Sequence, residues 1–283
     1  MKKGKGAFRL LNTVCALLQQ RGIALCAPLS LSDCRVTRPY LLERAGIADG
    51  TVFLFAVPYY TTKCDHPARN ISAYAVSRDY HGFFAALFDD ILPILRQRYP
   101  EYAFAGFTDH SPIAEAEAAV RAGLGYFGQN HLFLTDAYSS YVFLGEIVTN
   151  AKMKVFPREI TTCTGCGACK SACPVGLDTA RCLSALTQKK GELTEEEQAA
   201  ILAHGCAWGC DRCQEACPIT KKAKATGSIY TPIHYFSENA LPFLTAETVE
   251  TMPKAEFERR AYSWRGRKTI MRNLELLEKG ELQ

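Results

Sequence analysis

Four cysteines lie close together in the run C-T-G-C-G-A-C-K-S-A-C-P, which extends from Cys163 to Pro174. Their C-x2-C-x2-C-x3-C-P spacing is typical of bacterial iron–sulfur proteins, whose clusters are held by closely spaced thiolates. A second run, C-D-R-C-Q-E-A-C-P, begins at Cys210. Two such runs usually hold two [4Fe–4S] clusters, and the last cysteine of each run binds the partner cluster. The residue types therefore predict electron transfer.

Crossed ligation divides the cysteines of the two runs between two clusters. One cluster takes Cys163, Cys166, Cys169 and Cys217, and the other takes Cys173, Cys210 and Cys213. The spacing leaves the eighth ligand open between Cys182 and Cys206. The cysteine that is not a ligand would be a small buried hydrophobic residue.

Zinc and disulfides are the alternatives for these cysteines. Zinc sites also use C-x2-C, but normally as two separated knuckles around one tetrahedral ion. Here the two-residue gaps follow one another and each run ends in Cys-Pro, which favours clusters. The chain has thirteen cysteines, an odd number, and begins M-K-K-G-K-G-A-F-R without an apolar secretory core. We therefore expect reduced thiols in the cytoplasm.

The composition permits a sizeable core and constrains the partners only weakly. Apolar residues make up 48% of the 283 residues, and the net charge is +4. This mildly basic balance permits nucleic-acid contact without requiring it. No apolar run approaches the roughly 18 residues of a membrane span, so we expect no membrane association.

The elements that must position the reactive residues follow from hydrophobic periodicity. Residues 51–57, 102–107 and 141–148 have strand patterns, whereas residues 8–18, 81–99 and 113–122 have helical ones. This alternation predicts an α+β chain that begins with an α/β domain. We place that domain at residues 1–155, a ferredoxin-like two-cluster domain at 156–238, and a helical tail at 239–283.

Two segments of the first domain could carry a reaction. Asp109 precedes Ser111 and Pro112, which suit the N-cap and first position of a helix. Asp109 would then lie where ligands of α/β domains commonly bind, or it would merely complement the helix dipole. The second segment contains Gly123, Gly125 and Gly128, which permit close backbone approach, although it is neither a Rossmann fingerprint nor a P-loop.

Several strings together resemble the epoxyqueuosine reductase family, in the order in which that family has them. They are Y-A-V-S-R-D-Y-H (74–81), D-H-S-P-I-A-E (109–115), R-A-G-L-G-Y-F-G-Q-N (121–130), Y-V-F-L-G-E-I (141–147), R-C-L-S-A-L-T (181–187), G-R-K-T-I-M-R-N (266–273) and the two cysteine runs. The resemblance covers about residues 50–275.

The resemblance implies a cobalamin-dependent, two-cluster oxidoreductase that reduces epoxyqueuosine to queuosine in tRNA and is related to reductive dehalogenases. It also implies an external electron donor such as a flavodoxin or ferredoxin. Asp109 matches the family's proton-donating acid, and the string R-C-L-S favours Cys182 as the eighth cluster ligand. The positions that match the cobalamin cleft and the strand beside it are Arg121, Gly123, Gly125, Gly128, Asn130, Tyr141 and Glu146.

The chain departs from the family at two places. Gln129 replaces a lysine that the family usually has, and C-R-V-T-R-P-Y (34–40) replaces the usual N-terminal pattern. Two alternatives therefore remain, which are a corrinoid reductase of a small molecule and a two-cluster electron-transfer protein. Residues 78–81 could contact a ligand or brace a helix.

Cations near the end of the chain could follow a tRNA backbone, and Trp264 or Tyr262 could stack on a base. The alternative is a solvated helix face balanced by acidic residues. The cations are Lys221, Lys222, Lys224, Arg259, Arg260, Arg265, Arg267, Lys268 and Arg272.

Overall fold

The computed structural model describes residues 2–281, and the side chains of residues 8–280. Its strands are β1 Leu25–Ser30, β2 Thr51–Pro58, β3 Phe104–Phe107, β4 Tyr126–Phe127, β5 Phe133–Leu134 and β6 Val142–Thr149. Its α-helices are α1 Lys2–Gln19, α2 Pro39–Arg44, α3 Ala73–Val76, α4 Tyr80–Arg98, α5 Glu115–Arg121, α6 Ala168–Ala172, α7 Leu183–Thr187, α8 Glu195–His204, α9 Arg212–Glu215, α10 Pro218–Thr226, α11 Ala246–Thr251, α12 Lys254–Phe257 and α13 Arg267–Glu281. None of these helices is long and apolar enough to cross a membrane.

The main sheet has four strands in the order β1-β2-β6-β3, and every neighbouring pair is antiparallel. The chain is therefore mixed α+β, and the expectation of an α/β domain is wrong for this sheet. The ligand-site rule for parallel sheets consequently gives no reason to place a site at Asp109. All residues of β2 are buried, because this strand has a partner on each side and helices on both faces.

Side chains of β2 and β6 alternate between the two faces of the sheet. On one face, Phe55 packs against Phe84 of α4 with ring centroids 6.0 Å apart, and Gly145 leaves room for both rings. On the other face, Leu54 and Val148 belong to a buried apolar cluster with residues of α5. Two helices thus cover opposite faces and fix the sheet between them.

The chain forms two compact units. The first contains Met1–Pro58 and Phe83–Gly165, and the second contains Tyr59–Gly82 and Cys166–Gln283. These units differ from the domain boundaries expected from composition, because residues 59–82 group with the cysteine-rich half. Residues 239–283 also group with that half, since α13 packs against α7 and α8.

A buried carboxylate joins the two segments of the second unit. Asp211 accepts hydrogen bonds from Arg69 Nη1 at 2.7 Å, from Ser72 Oγ at 2.6 Å and from the Ala73 amide at 2.6 Å. Gln214 Nε2 is a fourth donor at 2.8 Å. The Asp211 side chain is only 3% exposed, so these donors replace its hydration shell.

Replacing Asp211 with Ala is expected to lower the free energy of unfolding by about 3–5 kcal/mol, because it removes the buried charge partner of Arg69 and leaves three further polar donors unsatisfied. Urea denaturation measures this change. The matched control is Glu215→Ala, which removes an exposed partner of the same Arg69 and should cost about 0–1 kcal/mol. Equal losses in the two variants would contradict the role of Asp211.

Candidate functional site

Asp109 lies on the loop between β3 and α5, where its side chain is exposed. Its φ of +59° is unusual for a residue other than glycine. The helix after the loop begins at Glu115, with Ala114 as its N-cap, so the predicted start at residue 113 is wrong. Ser111 is not the N-cap, although its hydroxyl does accept the Ile113 amide at 3.1 Å.

An extended segment next to the loop explains the late helix start. Val36 forms an antiparallel bridge with Ile113, and the Thr37 amide donates to the Pro112 carbonyl at 2.8 Å. Residues 112 and 113 therefore bond to another segment and are not available to a helical turn. This segment belongs to residues 34–40, where the chain departs from the family pattern.

The same segment holds the loop through two further side chains. Arg38 Nη1 donates to the Ser111 carbonyl at 3.0 Å, and the Tyr40 hydroxyl hydrogen-bonds His110 Nε2 at 2.7 Å. His110 is itself exposed. On the sheet side, Thr108 Oγ1 donates to the Leu144 carbonyl at 2.8 Å. Hydrogen bonds therefore hold the loop both before Asp109, at Thr108, and after it, at His110 and Ser111.

Two further carboxyl groups, of Glu115 and Glu146, lie near the Asp109 loop. The Asp109 amide donates to Glu115 Oε1 at 3.0 Å. Burial raises the pKa of Glu115 to about 7. Burial also raises the pKa of Glu146 on β6 well above its usual range, and the neighbouring Glu115 raises it further. Sequence reasoning missed Glu115 and matched Glu146 only to the strand beside the cofactor cleft, although an acid within the apolar run F-L-G-E-I-V was the available signal.

The predicted cofactor residues lie along α5 and the hairpin that follows it. Arg121 ends α5, where its side chain is 34% exposed and Nε lies 3.4 Å from Glu117 Oε1. Asn130 is half-buried in the turn between β4 and β5, whereas Tyr141 is fully buried. A Cβ atom on Gly125 would overlap the Leu134 carbonyl oxygen. The hairpin's own packing therefore already requires glycine there, and a cofactor contact remains a prediction.

The hairpin also bonds to the segment that leads to the first cysteine. The Phe127 amide donates to the Thr161 carbonyl at 3.0 Å, and the Cys163 amide donates to the Phe127 carbonyl at 2.8 Å. Phe127 thus pairs with Thr162 as a parallel bridge. The glycine-rich motif and Cys163 consequently belong to one hydrogen-bonded structure within the first unit.

The remaining predicted cluster ligands lie in the second unit. Helix α6 contains Cys169 and packs against α9, which contains Cys213, so the two cysteine runs are adjacent. Gly167 precedes α6 with a φ of +78°, a conformation that turns the chain sharply between Cys166 and Cys169. All thirteen cysteines are free thiols, so thiols suited to cluster ligation are present in both runs.

Cys182 and Cys206 differ in their surroundings. Cys182 lines a cleft together with Arg181 and Lys189, and it lies near enough to Cys210 to help raise the pKa of that thiol to about 11, an effect due mainly to burial. Cys206 also lies near Cys210, but its thiol donates to the Trp208 carbonyl at 3.4 Å. The Cys182 thiol is therefore the more available of the two.

Among residues 2–281, no three or more Cys, His, Asp or Glu side chains converge in a way that could hold a single metal ion. Ligands of a [4Fe–4S] cluster bind different iron atoms, so they need not converge on one point. The free thiols on adjacent runs thus fit a cluster as a set of donors.

Residues 78–81 brace helix α4. The Asp79 carboxylate accepts the His81 amide at 2.8 Å, and hydrogen bonds from His81 lower the pKa of Asp79 despite its burial. Arg78 pairs with Arg260 in an antiparallel bridge. These contacts favour the bracing role, and a ligand contact by this segment remains a prediction.

Several predicted phosphate-binding cations already have partners within the chain. Tyr262 is fully buried, so the expectation that it stacks on a base is wrong, whereas Trp264 is 58% exposed beneath the Arg265 guanidinium. Lys221, Lys222, Arg259 and Lys268 remain exposed. The cations with internal partners are Lys224, Arg260, Arg267 and Arg272.

Two epoxyqueuosine reductases are similar to this chain in sequence. The chain is 30% identical over 210 residues to the epoxyqueuosine reductase of Gloeobacter violaceus, which corresponds to 71% of this chain and 66% of that protein. It is 30% identical over 211 residues to the enzyme of Listeria monocytogenes, or 69% of this chain and 53% of that protein. The matches thus span about half to two thirds of the relatives' length. No family model matches the chain.

Solved structures share the fold. The epoxyqueuosine reductase of Streptococcus thermophilus superposes with a TM-score of 0.76 at 21% identity, covering 96% of this chain and 81% of that one. An epoxyqueuosine reductase solved with an epoxyqueuosine-modified tRNA-Tyr stem loop gives a TM-score of 0.75 at 22% identity, with the same coverage. From the sequence matches and the shared fold together, the chain belongs to the epoxyqueuosine reductase family.

Proposed function

We propose that this protein reduces epoxyqueuosine to queuosine in tRNA, using cobalamin and two [4Fe–4S] clusters. Curated relatives that match 69–71% of the chain are named for this reaction. A structural neighbour was solved with the modified tRNA stem loop. The reaction would take place in the cytoplasm, with electrons from an external donor such as a flavodoxin or ferredoxin.

The observation that carries the proposal is the geometry of the Asp109 loop. An exposed carboxyl group at a φ of +59° is held by contacts on both sides of it. Backbone strain of this kind costs about 1–3 kcal/mol and concentrates at functional sites. A dipole-complementing aspartate would not need this conformation.

Asp109 would act as the proton donor. Reduction of the epoxide to the alkene takes two electrons from the external donor and two protons, and it releases the epoxide oxygen as water. Opening of the ring leaves an oxygen that carries negative charge, and a proton from the Asp109 carboxyl would convert it to a hydroxyl, which leaves as water with the second proton. The resulting Asp109 carboxylate then takes a proton from solvent, since the side chain is exposed. Such a positioned acid contributes about 10²–10⁴-fold to rate.

The cofactors would be held by residues of both predicted sets. Cobalamin, when bound, would supply a low-valent cobalt able to reduce the epoxide-bearing ring. Arg121 and Asn130 fit a cofactor best, because their side chains are only partly buried. The proposed cobalamin residues are Arg121, Gly123, Gly125, Gly128, Asn130 and Tyr141. The proposed cluster ligands are Cys163, Cys166, Cys169, Cys173, Cys182, Cys210, Cys213 and Cys217.

Anaerobic reconstitution with iron, sulfide and hydroxocobalamin tests the proposal. We expect iron and sulfide equivalent to two four-iron clusters, uptake of the corrinoid seen in the visible spectrum, and formation of queuosine from epoxyqueuosine-tRNA. Protein that takes up both cofactors but leaves the tRNA unchanged would favour the small-molecule alternative. Protein that ignores the corrinoid would favour an electron-transfer protein.

Reduction of a small molecule remains the second candidate, because four of the nine predicted phosphate-binding cations already have internal partners.

Replacing Lys221, Lys222 and Lys268 together with Ala is expected to weaken tRNA binding and reduce its salt slope by about 1 for each phosphate that is no longer neutralised. Filter binding across salt concentrations measures this slope. Lys152→Ala is the control, since its side chain is exposed but pairs with Asp49 in the first unit. An unchanged slope in the triple variant would favour the small-molecule substrate.

A further inference from the structure

Glu146 is a fully buried acid on a central strand. Its register partners are Leu54 in β2 and Phe107 in β3. It shares a sheet face with Val148, which belongs to the apolar cluster that includes residues of α5. A lone carboxylate in such surroundings is very unfavourable, so burial keeps this group protonated.

The acidic neighbour of Glu146 is Glu115, the first residue of α5. The Ser111 hydroxyl also faces Glu146, but within the described residues neither Glu146 oxygen has a hydrogen-bond partner of normal geometry. Two carboxyl groups this close do not both ionise readily, because each negative charge opposes the other. The pair therefore keeps a proton at neutral pH.

The other charged and titratable groups that face the pair come from neighbouring segments. Arg38, from the segment next to the loop, favours ionisation of Glu115, whereas Asp109 opposes it. Burial is the main reason that the pKa of the Cys34 thiol is raised, and the nearby Glu146 charge raises it further. Arg38 thus lowers the pKa of Glu115, and in the part of the chain that the structure describes no cation lowers the pKa of Glu146 in this way.

Glu115 connects this pair to the loop. Its Oε1 accepts the Asp109 amide at 3.0 Å, at the residue whose φ of +59° must be held against its intrinsic preference. When the Glu115 carboxyl is ionised, its hydrogen bond with the Asp109 amide is charge-assisted and therefore stronger than a bond between neutral groups. Glu115 therefore fixes the backbone of Asp109, whose side chain is the proposed acid.

We propose that Glu115 and Glu146 are positioning residues, a carboxyl pair that holds a proton and fixes the Asp109 loop through the Asp109 amide. Its importance for catalysis rests on the proposed function, since it positions the proposed acid. The retained proton prevents two adjacent negative charges from forming behind the loop, where Glu115 is close enough for its charge to repel that of Asp109. Glu115 accepts the amide with either protonation state of its own carboxyl, because one oxygen remains an acceptor.

Hydrogen exchange of the Asp109 amide tests the contact in the protein without substrate. We expect Glu115→Ala to speed exchange by about tenfold, which corresponds to loss of one hydrogen bond. Glu115→Gln should exchange at the wild-type rate, because its amide oxygen replaces Oε1. Glu117→Ala, which removes the ion pairs with Arg35 and Arg121 instead, is the control and should leave the rate unchanged. Wild-type exchange in Glu115→Ala, or fast exchange in Glu115→Gln, would overturn the proposal.

The retained proton is tested by folding stability as a function of pH. Unfolded Glu146 loses its proton above its ordinary pKa near 4.5, whereas the folded residue keeps it. The wild-type folding constant should therefore fall by about tenfold per pH unit, from this group, as the pH rises from 5 to 7. Glu146→Gln removes this dependence, so the ratio of its folding constant to that of the wild type should rise with pH. A ratio that does not change with pH would overturn the retained proton.

Turnover provides a third measurement that separates this inference from the proposed function. In reconstituted protein, Glu115→Ala should lower kcat on epoxyqueuosine-tRNA by about tenfold or more with little change in KM, and Glu115→Gln should restore it. If wild-type protein does not convert that tRNA, the proposed function fails. The exchange and stability results would still decide whether the carboxyl pair holds the loop.

Discussion

Replacing Asp109 with Asn is expected to lower turnover of epoxyqueuosine-tRNA by about 10²–10⁴-fold while leaving cobalamin and iron content unchanged. The amide cannot protonate the negatively charged oxygen that forms when the epoxide opens. Asparagine is the informative substitution because, like aspartate, it tolerates positive φ better than most residues other than glycine. The loop is therefore expected to keep its conformation. Single-turnover assays on reconstituted protein measure the change.

The control for Asp109→Asn is Asp89→Asn, an exposed aspartate on the outer face of α4. It removes the same charge without touching the loop, and turnover should stay near that of the wild type. Near-normal turnover in Asp109→Asn would show that Asp109 is not the acid. The dipole-complementing alternative would then account for it, with an effect on stability alone.

Replacing Cys182 with Ala is expected to remove about half of the iron, because one of two four-iron clusters would lose a ligand. Cys206→Ala is the matched control and should keep the full iron content. The structure supports this difference, since the Cys182 thiol lines a cleft whereas the Cys206 thiol donates to the Trp208 carbonyl. Iron and sulfide analysis after anaerobic reconstitution measures both variants.

The opposite result, in which iron is lost from Cys206→Ala and retained in Cys182→Ala, would show that the eighth ligand is Cys206. Loss of iron in both variants would contradict the assignment as well. Electron paramagnetic resonance of the reduced protein provides a second readout, because losing one cluster also removes the magnetic interaction between two neighbouring clusters.

Strands and helices with strong hydrophobic patterns could be predicted from sequence. Residues 51–57 form one apolar run, and β2 occupies Thr51–Pro58. Strand β1 was missed because L-C-A-P-L-S does not alternate and contains Pro28, which an edge strand tolerates. Strand direction could not be predicted, since alternating helices and strands are compatible with parallel and antiparallel sheets.

Residues of the candidate site could be predicted from sequence only where they lie in a local motif. Asp109 was found through its neighbours in sequence, but the start of α5 was misplaced because Val36 pairs with Ile113 from a distant part of the chain. Glu115 and Glu146 are 31 positions apart, and their proximity arises from packing of α5 on the sheet. Likewise, only the folded chain shows that Arg260 and Tyr262 are buried.

The contact of Asp211 with Ser72 and Ala73 joins residues that are synthesised far apart in time. Ser72 and Ala73 precede Asp211 by 139 and 138 positions, and Phe83–Gly165 of the other unit is synthesised between them. During translation, residues 59–82 must therefore wait for the cysteine-rich half before they find their partners. A fragment ending near residue 155 would expose Ile71 and Ala73, which are buried in the whole protein, and we expect it to aggregate.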